Sequence, residues 1–179
     1  MSNGYNGKVL RVNLTLDNIS VEEPEEEFFR RYYGGSALSA YYLLKEMPPG
    51  ADPLGPANVL VFAPGAITGA PVSGCGRNTV GAKSPLTGGF GDAQVGGYWG
   101  AELKFAGFDA IVITGRAASP VYLYVNDGQA ELKDANELWG KTTLECQEKI
   151  RQDLGDSGIK VAQIGPGGEN LVRYACIIN

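Results

Sequence analysis

Residues 8–21 read Lys8-Val9-Leu10-Arg11-Val12-Asn13-Leu14-Thr15-Leu16-Asp17-Asn18-Ile19-Ser20-Val21. Apolar and polar side chains alternate from Leu10, the signature of a half-buried strand. Asp17-Asn18 suit a turn, because short polar side chains tolerate αL or bond their own backbone. Ile19 to Val21 then reads as the returning strand. The chain therefore opens on a β-hairpin, and the elements beyond it decide the fold class.

Pro24 and the acidic run Glu25-Glu26-Glu27 start a helical region that reaches Tyr33. Proline tolerates a first turn, and carboxylates suit the positive end of the helix dipole. Gly34-Gly35 stops it. Ser36 is expected to cap a second helix, Ala37 to Met47, carrying Leu38, Tyr41, Tyr42 and Lys45 at helical spacing. Pro48-Pro49-Gly50 ends that helix. Asn58 to Phe62 (N-V-L-V-F) is nearly all apolar, as a strand covered on both faces would be. Arg77 to Lys83 and Asp109 to Thr114 are further strands, and Tyr98 to Phe105 a helix.

The same order recurs in the second half. Val121–Tyr124 and Ala130–Leu132 flank Asn126-Asp127-Gly128 as a hairpin. Thr142 to Leu154 is an amphipathic helix with Leu144, Ile150 and Leu154 along one side. Lys160 to Ile164 and Leu171 to Ile178 are expected strands around Gly165-Pro166-Gly167-Gly168. The first buried strand ends on Ala63-Pro64-Gly65 and its counterpart on Gly165-Pro166-Gly167. The expected architecture is α+β: duplicated hairpin, helix and strand units, approximately 7–65 and 120–178, with mostly antiparallel sheets. The chain stops on an apolar strand at Ile178-Asn179, so a piece of a larger protein is expected.

Composition narrows the chemistry. The sequence has 179 residues, 15 Lys+Arg against 20 Asp+Glu and a net charge of -5. That balance argues against a general nucleic-acid binder, which neutralises phosphates with basic patches. Histidine is absent, which removes Ser-His-Asp and Cys-His nucleophile systems and His-ligated zinc. Cys75, Cys146 and Cys176 lie far apart with no C-x-x-C, so they suggest neither a zinc nor an iron–sulfur site. Cys146 and Cys176 are expected in the core or on its flank. No signal peptide and no run of 18 apolar residues is present, so a cytoplasmic location without a membrane span is expected.

Glycine is the anomaly, at 26 of 179 residues. The densest run lies between Gly65 and Gly100, where only Arg77, Lys83 and Asp92 carry charge. Converging backbone N–H groups bind anions, and arginine adds a rigid donor fork. Gly96-Gly97 precedes a helix whose first N–H groups are free. The pattern alone leaves two readings open: a ligand cradle, or tight turns between short strands. Neither the dinucleotide glycine motif nor a P-loop is present. Arg77 and Lys83 share a face if the segment is extended, and so can face one phosphate-bearing ligand or solvent. Asp92 and Gln94 point the same way on a strand, as a magnesium shell or as turn-capping groups.

The run Lys83-Ser84-Pro85-Leu86-Thr87-Gly88, then Gly96-Gly97-Tyr98-Trp99-Gly100-Ala101-Glu102-Leu103-Lys104-Phe105-Ala106-Gly107-Phe108-Asp109-Ala110-Ile111, resembles the N-terminal domain of tungsten-containing aldehyde:ferredoxin oxidoreductases. Gly7 to Leu14 resembles that family's opening strand. Ile164 to Val172 resembles its later glycine turn. The likeness spans essentially all 179 residues in motif order.

The resemblance implies a bis-pterin cofactor, tungstopterin, with tungsten or in some members molybdenum. A magnesium ion bridges its phosphates. A [4Fe–4S] cluster, held by cysteines outside this stretch, passes electrons to ferredoxin or an electron-transfer subunit. The implied reaction converts an aldehyde and water to a carboxylate. Arg77 matches an arginine at pterin phosphate, and Gly96, with Gly97 beside it, a pterin-contacting backbone position. Gln94 falls where several relatives place asparagine, whose backbone carbonyl helps hold magnesium. Lys83 matches a basic position given a supporting role. Residues 1–179 are then the cofactor-binding base, inactive alone and expected to self-associate. A non-enzymatic pterin-binding or structural module is the alternative.

Overall fold

The computed structural model describes residues 4–179. The opening hairpin pairs β1 (Val9–Asn13) with β2 (Asn18–Glu22) in antiparallel register. Two helices come next, α1 (Glu26–Tyr32) and α2 (Gly35–Glu46). Then come β3 (Leu60–Pro64), β4 (Asn78–Lys83), β5 (Phe90–Val95), α3 (Trp99–Phe105) and β6 (Ala110–Thr114). These six strands form one sheet in the order β2-β1-β6-β3-β4-β5. Every pairing among them is antiparallel except β1 with β6.

The parallel pair is fixed by a buried carboxylate. Asp109, 3% exposed, precedes β6. It accepts hydrogen bonds from the N–H groups of Asn6, Gly7 and Lys8, and from the Lys104 ammonium. Its own N–H donates to the Lys8 carbonyl at 2.8 Å. The starts of β1 and β6 are thereby pinned side by side, which sets the register Val9 to Ala110.

Alternation then sorts side chains to two faces. On one, Val9, Val61, Ala63, Ala110 and Val112 pack under α1 and α2 with Phe29, Leu38, Tyr42 and Leu43. Gly81 lets α2 lie close on β4: a Cβ there would stand 2.6 Å from the Ser39 Cβ. On the other face Leu10, Val12, Phe62 and Ile111 pack with Leu103 and Phe108, and the second half of the chain leans on this cluster. Burying each such side chain stabilises by roughly 1.5–3 kcal/mol.

The second half begins with a separate two-stranded sheet, β7 (Val121–Asn126) and β8 (Gln129–Asp134). Asp127 and Gly128 both have positive φ, at 45° and 78°, as a two-residue hairpin turn requires. Next come α4 (Thr143–Leu154) and a four-residue helix α5 (Pro166–Glu169). The α+β class with mostly antiparallel sheets is as the sequence predicts.

Four local expectations are corrected. Lys160–Ile164 and Leu171–Ile178 form no ladder; they meet only at an isolated bridge between Gln163 and Ile178. Cys176 is consequently exposed rather than buried. Leu144 is 61% exposed, because α4 buries only Ile150 fully and leaves its first turn in solvent. Ser36 lies inside α2, whose cap is Gly34 at φ 89°. The strand β5 has no periodic signal of its own, since Gly91 interrupts the sequence and nearly the whole strand is exposed.

Candidate cofactor-binding site

The glycine-rich segment folds into a loop, the β4–β5 hairpin and the entry to α3. Arg77 immediately precedes β4. Its backbone is held from below by Thr68, 7% exposed, whose hydroxyl donates to the Arg77 carbonyl at 2.7 Å and accepts from the Gly65 N–H at 2.9 Å. The guanidinium is left exposed at the sheet edge, with Nη1 3.5 Å from the Gln94 Oε1. Gln94 stands opposite Thr79 on β5, so cross-strand register brings the two side chains together.

Gly96 and Gly97 continue from β5 and lie exposed beside this pair. Gly97 has φ 99°, a conformation that L side chains rarely adopt. Gly76 packs against the same loop: a Cβ on it would stand 2.6 Å from the Gly97 carbonyl oxygen. The two glycine segments thus touch backbone to backbone, with the Arg77 fork beside them. Asn179 donates from Nδ2 to the Gly96 carbonyl at 3.1 Å. Tyr98, 73% exposed, stands next to the glycine pair, and the Lys160 ammonium lies 5.6 Å from its ring centre.

Asn78, 3% exposed, sits beneath this corner, against Gly100 at the start of α3. Its Oδ1 is buried without a hydrogen-bond partner among the described residues. A buried acceptor without a donor costs about 1–3 kcal/mol.

Of the residues singled out from sequence, Arg77, Gln94, Gly96 and Gly97 come together. Lys83 does not join them. It ends β4 six residues on, about 20 Å away at strand spacing, and its ammonium donates to the Ala51 carbonyl at 2.6 Å. Its N–H and carbonyl are both held by the Asn58 side chain. Asp92 faces Gly81, two residues before Gln94 on β5. Thr68, Lys160 and Asn179 carry no sequence signal for this corner, because each reaches it through contacts distant in sequence; Asn78 follows Arg77 directly, but its burial against Gly100 is set by the fold. Among the described residues no group of three His, Cys, Asp or Glu side chains could hold a metal. The donor set fits a phosphate-bearing group: an arginine fork, bare backbone around Gly76, Gly96 and Gly97, and a nearby lysine in an acidic chain.

Comparison with known proteins agrees in extent and order. Residues 9–179 match the family model described as "Aldehyde ferredoxin oxidoreductase, N-terminal domain". The chain is 49% identical over 176 residues to the tungsten-containing aldehyde ferredoxin oxidoreductase of Pyrococcus abyssi, covering 98% of this chain and 29% of that protein. It is 38% identical over 189 residues to the aliphatic sulfonate oxidoreductase, WOR-like subunit, of Pyrococcus furiosus, covering 97% and 30%. Among solved structures, the active site complex BamBC of benzoyl coenzyme A reductase with 1,5 dienoyl-CoA superposes with a TM-score of 0.96. That match has 38% identity and covers 99% of this chain and 27% of that one. The chain spans under a third of the length of the curated relatives it matches. Matched along nearly its whole length, it belongs to the aldehyde ferredoxin oxidoreductase family, in the part that forms the N-terminal domain.

Proposed function

We propose that residues 1–179 are the base that holds a tungstopterin cofactor by its phosphates, within a longer oxidoreductase. The observation that carries this reading is the Arg77–Gln94 pair set beside the abutting glycine backbones of Gly76 and Gly97. Arg77 supplies the charged fork. Gly96 and Gly97 let backbone approach the ligand without a side chain between. The Gln94 Oε1 already faces the Arg77 guanidinium, so any magnesium contact at this residue goes through its backbone carbonyl. Lys83, committed to Ala51, braces β4 rather than touching ligand.

When bound, such a cofactor supplies the redox chemistry that turns an aldehyde and water into a carboxylate; the protein supplies position and electrostatics. Electrons would leave through a [4Fe–4S] cluster held elsewhere, to ferredoxin or an electron-transfer subunit. The relatives named for tungsten and aldehyde support this assignment. The test is pterin and tungsten content of the purified full-length protein, by fluorescence after oxidation and by mass spectrometry. Arg77→Ala is expected to lower both at least tenfold, with Arg77→Lys intermediate. Loading equal to wild type in a folded Arg77→Ala protein overturns the reading.

A further inference from the structure

The ladder between β3 and β4 stops one residue short of Arg77. Its register runs Ala63 to Thr79 and Pro64 to Asn78, so Gly65 and Arg77 are the next pair. That pair is not joined directly. The Thr68 hydroxyl stands between the two residues: it accepts from the Gly65 N–H at 2.9 Å and donates to the Arg77 carbonyl at 2.7 Å. One side-chain oxygen thus takes the place of a main-chain rung. It ties the start of β4 to the end of β3 while holding them apart by its own width.

The loop builds this oxygen in. The Thr68 N–H donates to the Gly65 carbonyl at 3.1 Å, closing a tight turn over residues 65–68. The Gly69 N–H donates to the Cys75 carbonyl at 2.9 Å. Residues 68 and 69 therefore grip the approach to β4 at two points, Cys75 and Arg77. Thr68 is 7% exposed, and a buried hydroxyl needs partners of the kind it has here. Its β-branched side chain is stiff at χ1, which limits where the oxygen can sit. The Arg77 guanidinium is exposed by contrast, and its contact with Gln94 is long, at 3.5 Å. The placement of that fork depends on where its backbone is rooted. The same root carries Gly76 against the Gly97 carbonyl.

We propose that Thr68 is a positioning residue for the phosphate contact. Its hydroxyl fixes the Arg77 backbone so that the guanidinium stands beside the Gly76–Gly97 corner, and it acts through Arg77 rather than on the ligand. The proposal rests on the cofactor reading above. A supporting group of this kind preorganises the one that binds. Without it the Gly65 N–H and the Arg77 carbonyl lose a shared partner, and the end of the loop is free to shift.

The test is pterin and tungsten content per chain of the full-length protein, in wild type, Thr68→Val, Arg77→Ala and the double variant. Valine keeps the shape of threonine and removes both bonds. Thr68→Val is expected to lower loading by about threefold to tenfold, the worth of a hydrogen bond. The double variant is expected to load as Arg77→Ala does, because a residue that acts through Arg77 then has nothing left to position. A residue that merely holds the loop together would make the two losses multiply. Thr68→Ser keeps the hydroxyl and is expected to load within about twofold of wild type. Multiplied losses, wild-type loading in a folded Thr68→Val protein, or a serine variant as poor as Arg77→Ala each overturn the proposal. The serine arm decides by itself where the valine variant does not fold. Wild-type loading of Arg77→Ala overturns the cofactor reading and this proposal with it. A loss in Arg77→Ala with none in Thr68→Val overturns this proposal alone.

Discussion

Asp109 ties the start of β1 to the start of β6. It gathers three backbone N–H groups and the Lys104 ammonium in a site where its own side chain is 4% exposed and that of Lys104 9%. A charge pair this deep is no guarantee of net stability, because desolvation offsets much of the attraction. Removing one partner is a different matter, since it strands the other charge and frees the start of β1. Asp109→Ala is therefore expected to cost about 3–5 kcal/mol, read as a lower midpoint in urea unfolding. A loss under about 1 kcal/mol would mean that hydrophobic contacts alone align β1 with β6. Arg11 works differently. Its fork meets both oxygens of Glu46, at 2.7 and 2.6 Å, while its face covers the Tyr42 ring. Burial, then the charge of Glu22, which accepts from the Tyr42 hydroxyl, pushes the Tyr42 phenol far above its ordinary range. It stays neutral throughout the physiological range.

At the scale of elements, α4 carries a clear local signal in the sequence and little tertiary hold, burying only Ile150. Thr142 accepts from the Glu145 N–H, and the Glu145 carboxylate accepts from the Thr142 N–H at 2.8 Å, a complete capping box. The Thr142 hydroxyl and N–H hold the Glu145 carboxyl below its usual value. A carboxylate with a depressed folded pKa stabilises above its unfolded pKa, and the contribution fades as pH falls through the folded one. Thr142→Ala is expected to cost about 1 kcal/mol at neutral pH. The gap from wild type should narrow below the ordinary carboxylate range, in thermal melts run as a pH series. A constant gap across that series would assign the loss to the pH-independent bond from the Glu145 N–H to the Thr142 hydroxyl rather than to the carboxylate. The helices α1 to α4 and the strands β1, β3, β4 and β6 are legible in the sequence because their periodicity and punctuation are local properties. Residues 160–164 and 171–178 mislead for a related reason: alternation identifies a strand's two faces but not the neighbours it needs to form a ladder. In the candidate site, glycine density with Arg77 and the family resemblance point to the corner. Thr68 and Asn78 are not legible, since they act across 9 and 22 residues, through the Arg77 carbonyl and the glycine at the start of α3.

Taken as one object, the molecule is three layers of unequal strength. The central sheet buries side chains on both faces, and its middle strands β1, β6 and β3 are nearly inaccessible. The second half leans on one of those faces through partly buried residues such as Leu123, Val125, Ala162 and Ile177. Toward the end of the chain this hold thins to the Gln163–Ile178 bridge, Ile177 and the Asn179 side chain, and Leu171 to Cys176 are all exposed. Local opening follows the density of buried contacts, so this end should open well before the sheet does. Arg173 lies within it, next to Tyr174 at 80% exposure. In a polypeptide of residues 1–179, trypsin at low ratio is therefore expected to cut after Arg173 first, seen as a small stepwise loss of intact mass. Cleavage after Arg11, Lys83 or Lys104 should come only on global unfolding, because each is tied by its head group to Glu46, Ala51 or Asp109. A first cut at any of those three would reverse the order of strength between the layers.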